Sequence, residues 1–139
     1  MEQKMISPSY IKFEKGRGAL SYTSYILLID FDNANLTIHT QNIKTHTANK
    51  QIWELDERII SGLLAILDYN SVMTFLDTPE EKLTENGYRD GWRLKYILVY
   101  PDKPILSGKL GTIYSESPFD KTLEYLRREC PNIEGIRHF

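Results

Sequence analysis

Tyr25-Ile26-Leu27-Leu28-Ile29-Asp30-Phe31-Asp32-Asn33-Ala34-Asn35-Leu36-Thr37-Ile38-His39-Thr40 is the stretch that decides the fold. Tyr25 to Ile29 is apolar at both alternating positions, the pattern of a central strand covered on both faces. Asp32-Asn33-Ala34-Asn35 is turn chemistry, because Asn and Asp bond their own backbone and tolerate a positive φ. Leu36, Ile38 and Thr40 then alternate with Thr37, His39 and Gln41, so the chain returns at once as a half-exposed strand. A strand, a turn and a strand with no helix between them make an antiparallel hairpin.

Upstream, Tyr10-Ile11-Lys12-Phe13-Glu14 alternates as a short strand that stops at Lys15-Gly16-Arg17-Gly18. Downstream, Lys50 to Leu55 adds an extended piece carrying Trp53, and Asp56 has the features of a helix N-cap. The helix it starts sets Ile59, Leu63 and Leu67 on one stripe, broadened by Ile60, Leu64 and Ile66. Gly62 inside it costs roughly 1 kcal/mol against alanine, which suggests a close approach to the sheet. Tyr69-Asn70 ends this helix. Val72 to Leu76 reads either as a short strand or as a helical extension, and Asp77 to Asp90 as a polar loop or short helix within the same domain.

Asp90-Gly91 opens the clearest strand, with Trp92, Leu94, Tyr96, Leu98 and Tyr100 on one face and Arg93 and Lys95 on the other before Ile97 and Val99. Pro101-Asp102-Lys103-Pro104 turns the chain, and Ile105 to Leu110 runs back. Ser117 as N-cap, Pro118 at the first helical position and Asp120 in the first turn start a last helix. Phe119, Leu123, Leu126 and Cys130 form its apolar stripe, and Pro131 stops it. The order predicts an α+β fold: one domain over residues 1–139, with a mainly antiparallel sheet of about five to six strands and two principal helices on one face.

With 17 Lys and Arg against 19 Asp and Glu, the net charge is −2, evenly spread along the chain. That balance argues against general nucleic-acid binding, which needs a net basic face. The amino-terminal residues carry no secretory pattern, and no apolar run is longer than Tyr25 to Ile29, far short of the ~18 to 20 residues that span a bilayer. A single cysteine, Cys130, forms no internal disulfide. The expected setting is a reducing cytoplasm, away from membranes.

Ile29-Asp30-Phe31-Asp32, at the end of an apolar strand, resembles the first motif of haloacid-dehalogenase-like phosphatases, and with Asn33 it is similar to the opening of the NYN ribonuclease family. That resemblance implies a metal-dependent phosphoesterase or nuclease in which Asp30 and Asp32 hold magnesium against a phosphate. It also implies a parallel sheet, which requires a helix where Leu36 to His39 alternates as a strand; the turn chemistry therefore assigns both aspartates to the hairpin.

Other candidates are weaker. Lys15-Gly16-Arg17-Gly18 lacks the spacing of a phosphate-binding loop and reads as a surface turn. His39, His46 and His138 form no metal-ligand spacing. Cys130, on an apolar stripe, reads as core and not as a nucleophile. The expectation is no catalytic residue, no metal and no cofactor.

Tyr88-Arg89-Asp90-Gly91-Trp92-Arg93 concentrates the side chains that dominate binding hot spots. Tyr88, Arg89, Asp90, Trp92, Arg93 and Lys95 are accordingly the expected binding surface. The predicted function is a small cytosolic non-catalytic binding protein that recognises another macromolecule or ligand, most simply a protein. In size and class it resembles small immunity proteins that neutralise a toxin. The alternatives are the Asp30 and Asp32 enzyme, and a homo-oligomer subunit whose exposed hairpin edge pairs with its copy.

Overall fold

The Asp30 to Ala34 turn reverses the chain and is held by the Asp30 carboxylate, which accepts the Asp32 and Asn33 amides. In the computed structural model, which describes residues 5–16, 22–77, 92–111 and 116–139 and only the backbone of Trp92, strand β2 (Thr23–Asp30) pairs antiparallel with β3 (Asn35–Asn42). Ala34 takes the left-handed conformation at φ 52°. A second turn joins β3 to β4 (Thr47–Glu54), where Asn42 Oδ1 accepts the Lys44 and Thr45 amides at 3.0 and 3.1 Å. With β1 (Tyr10–Lys15), β5 (Trp92–Val99) and β6 (Leu106–Gly111), the sheet has six strands in the order β4-β3-β2-β1-β5-β6. Every neighbouring pair is antiparallel.

Helices cover one face of this sheet. Helix α1 (Glu57–Ile66) starts where Asp56 accepts the Ile59 amide at 2.9 Å. Helix α2 (Tyr69–Leu76) follows almost directly, so Val72 to Leu76 is helical and not a strand. Helix α3 (Pro118–Glu129) starts at Ser117, whose Oγ accepts the Asp120 amide at 3.0 Å and donates to Asp120 Oδ2 at 2.8 Å. Ile11, Phe13, Leu27, Ile29, Leu36, Leu94 and Leu98 from the sheet meet Leu63, Leu67, Val72, Phe119, Leu123 and Leu126 from the helices, all fully buried in one core.

Gly62 does mark a close approach, but to a helix. A Cβ there would lie 2.0 Å from Tyr125 Oη of α3, so glycine lets α1 and α3 meet with the tyrosine between them. Buried Tyr100 donates to the Leu67 carbonyl at 2.6 Å, fastening β5 to the end of α1, and its burial raises its pKa above the ordinary 10.0.

One element lies beyond the last predicted helix. A 3-10 helix (Glu134–His138) brings the chain back over the sheet, where His138 stacks on Tyr25 at 4.1 Å and Phe139 meets the same ring edge-on. Lys15 Nζ donates to the His138 carbonyl at 2.9 Å, and Ile136 and Phe139 are buried.

Glu57–Leu76 is, by length and composition, apolar enough to cross a membrane. Reading apolar runs strictly overlooks this, since short polar interruptions hide it. In the fold this stretch is an amphipathic layer broken at Asp68, whose carboxylate accepts the Ile6 amide at 3.1 Å. Ile59, Leu63, Leu67 and Val72 face the core, whereas the exposed positions are Glu57, Arg58, Ser61, Ala65, Asn70, Ser71 and Thr74.

Strand β2 departs from expectation in its cover. Its doubly apolar pattern predicts protection on both faces, yet among the described residues only the face of Leu27 and Ile29 is closed, and Ile26 and Leu28 are part-exposed on the other.

Candidate functional site: the open face of the sheet

The strand registers line up three rows of side chains on the uncovered face. The first runs Glu54, Asn35, Asp30, Tyr10, Val99 from β4 to β5. The second runs Ile52, Thr37, Leu28, Lys12, Ile97, Ser107, and the third Lys50, His39, Ile26, Glu14, Lys95, Lys109. The first row is acidic at its β4 side. The second is largely apolar, with the Lys12 stem between Leu28 and Ile97, and the third is rich in lysine. Lys12 reaches Glu14 at 3.1 Å, with both side chains about one-third exposed, so this pair contributes little to stability. Ile26, Leu28, Ile97, Val99 and Tyr10 are part-exposed, which leaves an apolar band across three central strands, with Glu54 and Asp30 toward one end of the strands and Lys50, Lys95 and Lys109 toward the other.

At one end of the band Ser9, Tyr10, Lys12, Leu28, Asp30, Asp32 and Asn33 line a hollow of about 360 Å³. Leu28 forms an apolar wall, and Tyr10, Lys12 and Asp32 supply polar groups. Asp30, by contrast, is committed to the turn. Its Oδ1 accepts the Asp32 and Asn33 amides at 3.0 and 3.2 Å, and its Oδ2 accepts Asn33 Nδ2 at 2.7 Å. β2 is antiparallel to both its neighbours, so the parallel sheet implied by the phosphatase and ribonuclease resemblance is absent. Among the described residues, no group of three or more His, Cys, Asp or Glu side chains is placed to hold a metal ion.

A larger hollow, about 460 Å³, lies on the helix layer beside Ile66, Phe75 and Pro118. Its charged residues, Glu116 and Lys121, pair with each other at 3.6 Å.

Of the residues expected to form the binding surface, the structure describes the side chains of two, Arg93 and Lys95. Tyr88, Arg89 and Asp90 lie outside the described residues, as does the Trp92 side chain. A register shift between Trp92 and Leu94 takes Arg93 out of the row of Lys95. Its guanidinium donates to Asp120 Oδ1 at 2.5 Å and to the Gly111 carbonyl at 3.0 Å. With side chains 14% and 5% exposed, the Arg93–Asp120 pair clamps β5 to the start of α3. Lys95 is exposed in the third row, beside Glu14.

Sequence reasoning passed over Tyr10, Lys12, Leu28 and Ile97. The signal for them was the apolar character of both parities in β2 and of the second parity in β5. Cys130, the α3 cap residue, is buried, and burial raises its thiol pKa, which disfavours the nucleophilic thiolate.

No family model matches the chain, and no curated protein or solved structure matches it.

Proposed function

We propose that the protein is a non-catalytic binding module that recognises a partner protein through the open sheet face, with Tyr10, Lys12, Leu28 and Ile97 at its centre and Lys95 at its basic margin. One observation carries this reading: the central strand β2 has the composition of a strand covered twice, and the described residues cover it on one face. A partner on the open face supplies the second cover. The order of rows favours a protein over a polyanion, because acidic and basic margins on either side of an apolar band call for a surface with both signs of charge. Toxin neutralisation of the immunity type is one instance of such a role, and the cytoplasmic setting belongs to the same proposal.

Native mass spectrometry of the protein isolated from its own host tests the reading. The parent chain is expected to carry a stoichiometric protein partner that Leu28→Lys and Ile97→Lys release while their melting temperatures stay near the parent's. A partner retained by both variants, or a parent chain without one, contradicts it.

A further inference from the structure

The two edges of the sheet are unlike. β6 is six residues long, begins two residues after Pro104 and contains Gly108 and Gly111. β4 is eight residues long, has neither proline nor glycine, and is exposed everywhere except the half-buried Trp53. Short strands, proline and charge are the usual protections of a sheet edge. Of these β4 has charge only, and that charge is arranged in a particular order.

Leu55 donates its amide inward to the Ala34 carbonyl at 2.9 Å. Because antiparallel ladders alternate, the N–H and C=O of Glu54, Ile52 and Lys50 point to the free edge. The same three residues carry their side chains on the open face. Lys50, Ile52, Glu54 reads as a self-complementary sequence. An antiparallel copy centred on Ile52 sets isoleucine against isoleucine and each Lys50 against the other copy's Glu54, and all three residue pairs exchange both of their backbone hydrogen bonds.

Other registers are worse. Centring on Lys50 opposes two ammonium groups, and centring on Glu54 opposes two carboxylates. Centring on Gln51 or Trp53 places Ile52 against a charged residue. Ile52 is 58% exposed, and none of the ion pairs found among the described residues involves Lys50 or Glu54.

We propose that a second copy of this chain docks antiparallel on β4 about a two-fold axis at Ile52, joining two six-stranded sheets into one. The charge complementarity of Lys50 and Glu54 fixes the register. The interface is the β4 edge, whereas the residues at the centre of the proposed partner site, Tyr10, Lys12, Leu28 and Ile97, lie on β1, β2 and β5. A contact this small falls in the weak, transient class of interface.

Sedimentation equilibrium of the full chain at low salt, from ~1 to ~500 µM, brackets that strength. The expected result is a monomer–dimer equilibrium that Lys50→Glu or Glu54→Lys each weakens about tenfold by turning both cross-strand pairs repulsive. The Lys50→Glu/Glu54→Lys double variant regains the parent's association. Under mild oxidation Ile52→Cys is expected to form a covalent dimer and Ile105→Cys, exposed elsewhere, to stay monomeric; the native Cys130 is buried. A monomer throughout, a dimer indifferent to the single reversals or not restored by the double one, or an Ile52→Cys chain that does not cross-link overturns the proposal.

Discussion

Leu27 and Leu28 are chain neighbours in opposite surroundings. Leu27 is fully buried beneath the helix layer beside Phe13 and Ile38, whereas Leu28 is part-exposed between Thr37 and Lys12. The same contrast holds across the sheet. One face meets α1, α2, α3 and the carboxy-terminal 3-10 helix, and the other carries an apolar band flanked by charged rows. Strand periodicity reports the chemistry of both faces but is silent on what covers each. An apolar residue in a strand therefore does not by itself tell which face meets the core.

The contrast breaks or sharpens under substitution. Leu63→Asp buries an unpaired carboxylate in the core and is expected to cost more than about 4 kcal/mol, abolishing cooperative melting by circular dichroism. Leu28→Asp, on the open face, is expected to melt cooperatively within a few degrees of the parent. Equal loss in both would erase the distinction between the faces.

The two kinds of ion pair give the next test. Asp120→Ala leaves the Arg93 guanidinium largely buried without its carboxylate and is expected to cost about 3 to 4 kcal/mol in urea denaturation. Glu14→Ala removes the part-exposed Lys12 pair and should change stability by less than about 0.5 kcal/mol. Leu27→Ala and Leu28→Ala follow, at about 3 kcal/mol and under about 1 kcal/mol.

The last test is of pH. Burial raises the pKa of both Tyr100 and Cys130 above their ordinary 10.0 and 9.0, so the unfolded chain releases these protons first as pH rises. Their contribution is constant below about pH 8 and falls as pH climbs through 9 and 10 toward the folded values. Stability measured from pH 7 to 11 should decline over that upper range, and less steeply in Tyr100→Phe. An identical slope in the two proteins would contradict the assignment.

Much of the architecture was legible because local signals were strong. Asp32 to Asn35 marked the hairpin, Asp56 and Ser117 marked helix starts, and alternation marked β5. What escaped depended on tertiary contacts. Gly62 announced a close approach but not that Tyr125 makes it. The Glu134–His138 turn has little helical periodicity and is held by Tyr25 and Lys15, more than 100 residues away in the chain. Arg93 reads as a surface cation in sequence because nothing local announces Asp120. The open-face band was half visible: the apolar character of both parities of β2 is plain in the sequence, but not that the described residues cover one face alone.

Oxidative footprinting of the two faces tests the central claim most directly, comparing the isolated protein at low concentration with the protein in an extract of its host. Tyr10, Leu28 and Ile97 are expected to oxidise in the isolated chain and to be protected in the extract, while Tyr125, part-exposed on α3 in the helix layer, oxidises equally in both. Equal oxidation of the band residues in the two samples would contradict the claim that a partner covers the open face.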